Sequence, residues 1–115
     1  MPHDRDIETL IDIAEAARLV IDFKKGSDLA SFRADRKTQS SIVHQMLVIG
    51  EAVKRLSPSF CASRPEIPWA AYAKMRDKMI HRYQEILTEE VWNTACADIP
   101  RLLAFVEPLL PPRNP

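Results

Sequence analysis

The chain has 115 residues, enough for one domain with a single modest hydrophobic core and too few to add a separate cofactor-binding domain. Its 16 basic side chains cancel its 16 acidic ones, so no bulk field draws it to nucleic acid or to an anionic membrane. Any phosphate contact must therefore come from a local cluster. Cys61 and Cys96 fit no zinc or redox spacing, though a single disulfide stays open to them. With no stretch resembling a signal peptide or a membrane-length apolar run, this cysteine usage points to a reduced, cytoplasmic compartment.

Two glycines in the whole chain, and prolines gathered between and after the periodic segments, leave little scope for hairpins and predict an all-α bundle. The first helix is expected from Asp4 to Lys25, burying Ile7, Leu10, Ile11, Ala14, Ala17 and Ile21, with Gly26 ending it after two lysines that suit a helix C-terminus. A connection with one helical turn around Leu29–Phe32 leads to Asp35 as N-cap of a second helix running to Leu56, where Ser57-Pro58 interrupts it. On that helix Ile42, Val43, Met46, Leu47, Ile49, Gly50 and Val53 cover about half the circumference, wider than one neighbour requires. Either a four-helix core or a homodimer interface, with Gly50 admitting a close backbone, would account for the width.

Pro68-Trp69 opens the third helix. Thr88-Glu89-Glu90 begins the fourth, with Pro100 set to kink or restart it before Leu102–Leu110. Residues 1–110 are expected to form one domain, and 111–115 a flexible tail.

The third helix carries the chemistry. Trp69, Tyr72, Ala73, Arg76, Met79, Ile80, Tyr83 and Leu87 fall on one face at ~100° per residue, so Arg76 sits within an apolar stripe. Such a cation is either held by a carboxylate or backbone carbonyls, or it lines a cleft where an anion meets it. Glu51, at the margin of the second helix's apolar arc, is a candidate partner for it or for a basic residue across an interface. His81 is the candidate acid/base because its ordinary pKa lies near neutrality. Asp77, one turn earlier, is placed to accept the imidazole N–H, although spacing alone favours an ordinary surface pair.

On a regular helix Arg76 and His81 point ~140° apart. Their convergence requires an irregular turn or two copies facing each other across a dimer axis, an arrangement that would also supply two histidines for a reaction needing both base and acid. Tyr83 is either a core aromatic or an exposed residue near the helix end. His3 is expected to be inert, and His44 packed or facing solvent rather than a ligand.

At these residues the chain resembles the HepT-like branch of the HEPN superfamily, small all-α proteins marked by an Arg-x4–6-His motif. The resemblance rests on Arg76-x4-His81-x-Tyr83, Ile49-Gly50-Glu51-Ala52, Ile67-Pro68-Trp69, Glu90-Val91-Trp92 and Asp98-Ile99-Pro100, whose order and spacing make the joint signal. It departs at Asp77, where a polar Asn or similar is usual, and the added negative charge works against phosphate affinity.

The resemblance implies an antiparallel bundle of four main helices with room for a short extra one. It implies the toxin of a prokaryotic toxin–antitoxin module, a homodimer or larger assembly acting on RNA as an endoribonuclease without metal or cofactor and away from any membrane. Arg76 and His81 would be catalytic, with Asp77 in support. The partner would be a minimal nucleotidyltransferase antitoxin that transfers AMP from ATP to Tyr83. Two alternatives stay open: a non-catalytic dimer that serves as partner and AMPylation substrate of that enzyme, and a helical dimer in which Arg76 and His81 are structural.

Overall fold

The computed structural model describes residues 4–81 and 88–112, with side chains at 5–80 and 88–112. Seven α-helical segments occur among them: α1 (Asp4–Lys24), α2 (Leu29–Ala34), α3 (Arg36–Arg55), α4 (Pro58–Ser63), α5 (Trp69–His81), α6 (Thr88–Asn93) and α7 (Ile99–Val106). A π-helical turn over Thr94–Asp98 joins α6 to α7, and a 3-10 turn over Glu107–Leu109 follows. The fold is all-α: three long helices, a composite fourth made of α6, the π turn and α7, and the short α2 and α4. The fourth of the expected helices is thus broken in the middle, and α4 is an addition. Its Ser57 cap and Pro58 at the first turn are the ordinary signature of a helix start, not only of the interruption expected there.

Local signals account for most boundaries. Gly26 adopts φ 76°, the left-handed conformation in which a side chain would strain the backbone, and closes α1. Asp28 and Ser31 cap α2 reciprocally, and the Asp35 carboxylate receives Thr38 N–H at 3.0 Å to start α3. Pro100 offers no N–H to the carbonyl four residues back, and the chain widens just before it, with Ile99 N–H reaching the Thr94 carbonyl five residues away.

The core lies where α1, α3, α5 and α7 meet. Leu10, Ala14 and Ala17 of α1 are buried as the periodicity predicts, but Ile7, Ile11 and Ile21 are only half-buried, and Ile13, Ala16 and Val20 take the deeper positions. The helix is rotated because α1 packs against α3 and α7 together, so its buried face is centred between two neighbours. Near its start Asp6 is 1 % exposed, and its carboxylate accepts the backbone N–H of Ser57 at 2.9 Å and the Ser57 hydroxyl at 2.7 Å, pinning α1 to the α3–α4 junction. Phe32 and Trp92 pack as a tilted pair with centroids 5.1 Å apart, with Lys24 Nζ 5.6 Å over the Trp92 ring, and Phe60 meets Trp69 at 5.9 Å. Cys61 and Cys96 are unbridged. No described helix is long and apolar enough to cross a membrane.

The wide apolar arc of α3 is covered from within the chain, by α1 on one side and α5 on the other. Ile42, Val43, Met46, Ile49, Gly50 and Val53 are buried there, while Leu47 remains half-buried. The open side of Gly50 is therefore taken by α5 and not by a second chain: a methyl group at residue 50 would collide with Arg76 Cβ and stand 3.0 Å from both Arg76 Cγ and the Tyr72 carbonyl oxygen. Alanine normally favours a helix interior over glycine by about 1 kcal/mol. Here overpacking opposes that gain, because the colliding atoms belong to a side-chain stem and a backbone and cannot swing aside. Gly50→Ala is expected to lower stability by about 1–3 kcal/mol, measured by chemical denaturation.

Candidate active site

The α3–α5 contact builds the site. Because no side chain intervenes at Gly50, the stem of Arg76 lies against the α3 backbone, and its guanidinium emerges beside the next α3 residue. There Arg76 Nε meets Glu51 Oε2 at 2.9 Å, and Nη1 donates to Asp77 Oδ1 at 3.0 Å. The arginine side chain is 25 % exposed, so the two options open in the sequence coincide: carboxylates hold the guanidinium, and one part of it still faces solvent.

Asp77 also receives Lys54 Nζ on the same oxygen, at 2.6 Å. Lys54 lies three residues after Glu51, so α3 offers an acid and a base side by side to the base and acid of α5. Lys54, followed by Arg76, holds the Asp77 carboxyl below its ordinary value. The Oδ1 atom is thus engaged by the two cations, a role for Asp77 that the expected pairing with His81 did not include. Lys54 carried no distinctive sequence signal, since its partner is on another helix.

Arg76 also borders an open groove of about 500 Å³ between α1, α3 and α5, whose lining includes Leu19, Leu47, Val48, Glu51 and Ile80. Ile80 is 46 % exposed, in contrast to its expected place on the buried stripe, because α5 turns its neighbour Met79 inward, where Met79 lines a surface shared with Glu90 and Val91 of α6. His44 lines the same groove from an exposed position, in keeping with a solvent-facing residue.

Behind the site, the Tyr72 hydroxyl donates to the Asp98 carbonyl at 2.9 Å, tying α5 to the π turn. Burial pushes that phenol up to about 12, so it remains a donor across the physiological range. The described part of α5 runs to His81; the His81 side chain, Tyr83, Leu87 and His3 lie outside the described residues. Among the described residues no group of three or more His, Cys, Asp or Glu is arranged to hold a metal ion.

An all-α bundle that carries an Arg-x4-His segment on α5 is of the HEPN type. The description Ribonuclease HepT-like matches residues 13–109. A Thermococcus cleftensis protein named Probable ribonuclease HepT is 40 % identical over 100 residues, covering 87 % of this chain and 91 % of that one. Two Methanocaldococcus jannaschii proteins, named as RNases with a similar qualifier, are 36 % identical over 101 residues (88 % of this chain, 84 % of theirs) and 35 % over 107 (92 % and 88 %). No solved structure matches. The chain belongs to the HepT-like ribonuclease family.

The lowered Asp77 carboxyl fixes the sign of a pH effect. A group whose folded value lies below its unfolded one, here 3.8, contributes stability that is present above that value and is lost as pH falls through the folded value. The stability difference between the native chain and Asp77→Asn is therefore expected to stay flat near neutrality and to shrink on acidification below 3.8, followed by urea denaturation across a pH series.

Proposed function

We propose that the chain is an endoribonuclease that cleaves RNA through the 2′-hydroxyl, and that it is the toxin of a two-component toxin–antitoxin module. The observation that carries this reading is the placement of Arg76: a permanently charged, bidentate-capable group, held by Glu51 and Asp77 yet partly open to solvent, in the motif of a ribonuclease family. Names of relatives as ribonucleases support the same chemistry.

In the proposed reaction His81 acts as acid/base. A base takes the 2′-hydroxyl proton, the oxygen attacks phosphorus, the bond from phosphorus to the 5′-oxygen breaks, and an acid protonates that leaving oxygen. Arg76 stabilises the extra charge on the phosphoryl oxygens. One motif histidine per chain suits a homodimer, in which the second comes from the other copy. The groove beside Arg76, with Leu19 39 % and Ile80 46 % exposed, provides apolar surface for that contact. A monomer at micromolar concentration in solution scattering would exclude the dimer.

Cleavage is expected to leave a 2′,3′-cyclic phosphate and to proceed in EDTA. Arg76→Ala and His81→Ala are each expected to lower the rate by ~100-fold or more, read by gel and mass spectrometry of a labelled RNA. Full activity in His81→Ala, or its abolition by EDTA, would overturn the mechanism.

Control is proposed to act at Tyr83. An AMP group on its hydroxyl, two residues from His81 in sequence, would bring a bulky anion close to the motif and compete for Arg76. Incubation with a minimal nucleotidyltransferase of the proposed partner class and ATP is expected to add AMP to the native chain, leave Tyr83→Phe unmodified and stop RNA cleavage. Modification of Tyr83→Phe, or undiminished cutting by the modified chain, would return Tyr83 to an ordinary aromatic.

A second reading is a non-catalytic dimer that serves as partner and AMPylation substrate of the nucleotidyltransferase. It is favoured by the engagement of both Arg76 Nε and Nη1 with carboxylates, as in a structural arginine. RNA left intact when the native chain is induced alone, with AMP transfer preserved, would select it.

A further inference from the structure

Two cations from different helices share one carboxylate oxygen beside the motif arginine. Lys54 Nζ stands 2.6 Å and Arg76 Nη1 3.0 Å from Asp77 Oδ1, while Glu51 holds Arg76 Nε from the other side. Counted as formal charges, Glu51 and Asp77 balance Arg76 and Lys54. Without Lys54 the guanidinium would be outweighed two to one, and an incoming phosphate would meet a net negative cluster. Lys54 and Asp77 are 38 % and 46 % exposed, so their ion pair contributes little to folding, as is usual for solvent-exposed pairs. Its consequence is local: Lys54 meets Asp77 more closely than Arg76 does and takes up part of the charge that would otherwise fall on the arginine.

We infer that Lys54 is a positioning residue for phosphate binding, which neutralises Asp77 and so leaves Arg76 with a net attraction for an RNA phosphate. The inference rests on the ribonuclease reading for the identity of the ligand. It makes the pair of Lys54 and Asp77 a unit: an acid next to the arginine is tolerated because α3 supplies its counter-charge.

The test measures binding of a mixed-sequence 2′-O-methyl oligoribonucleotide, which cannot be cleaved through the 2′-position, to the 115-residue chain by fluorescence anisotropy. Circular dichroism melts confirm that each variant is folded. Lys54→Met is expected to bind about tenfold more weakly, and Lys54→Arg about as tightly as the native chain. Asp77→Asn alone is expected to bind at least as tightly as native, and Lys54→Met combined with Asp77→Asn to return to within about twofold of native. The rescue separates charge compensation from a structural role or from direct contact of Lys54 with phosphate, neither of which a change at Asp77 would repair.

Unchanged binding by Lys54→Met, weaker binding by Asp77→Asn, or a loss that persists in the double variant would each overturn the inference. Native chain that binds the oligonucleotide with the expected variant pattern, yet never cuts unmodified RNA, would overturn the ribonuclease reading and leave charge compensation standing. No binding by the native chain would overturn both.

Discussion

The close approach of α3 and α5 at Gly50 is the constraint on which the candidate site depends. A side chain at residue 50 would push the stem of Arg76 away from α3, and the reach from the guanidinium to Glu51 would be lost with it. Lys54, one turn further along α3, meets Asp77 through the same register. One missing methyl group thus sets the distances among four charged side chains. Helix packing at close range is discrete rather than continuously adjustable, so a disturbance there would shift α5 as a unit.

The surrounding fold holds that contact from behind. Tyr72, on the same helix as Arg76, is anchored by its hydroxyl to the Asp98 carbonyl, at the place where the π turn hands over to α7. Pro100 makes this turn necessary, since a regular helix through residue 100 would lack one hydrogen bond and press the proline ring on the preceding turn. Just past the C-terminal end of α3, the buried Asp6 carboxylate fastens α1 to Ser57 and helps fix where α3 stops and α4 begins. These two polar contacts help hold α3 and α5 in place, while the apolar core supplies the driving force for their association.

For a chain with no net charge, function on a polyanion has to rest on local electrostatics, and the site has that character. Arginine suits it better than lysine, because a planar guanidinium is held from two edges by carboxylates and still presents a further edge. In the proposed phosphate-binding role, the carboxylates that position it also weaken its pull on an anion, and the balance among Glu51, Asp77, Lys54 and Arg76 would set how much attraction remains. A fixed, partly neutralised donor of this kind loses little order when a ligand arrives, which is the ordinary physical advantage of a preorganised site.

The sequence by itself determined the helical class, the limits of α1 and α3, the capping role of Asp35, the break at Ser57-Pro58, the interruption at Pro100 and the family motif on α5. These are local properties: caps, prolines and glycine act on backbone groups a few residues away, and apolar periodicity marks a face without regard to what covers it. It also singled out Arg76 as a cation in need of a partner and Glu51 as a candidate. Only the tertiary structure decided that α5 fills the space at Gly50, that α1 turns Ile13, Ala16 and Val20 inward, that Ile80 is exposed, and that Lys54 meets Asp77. The physical reason is that contacts between helices depend on their axial register and rotation. Those are set jointly by all the faces that pack together, and no single helix carries that information in its own sequence.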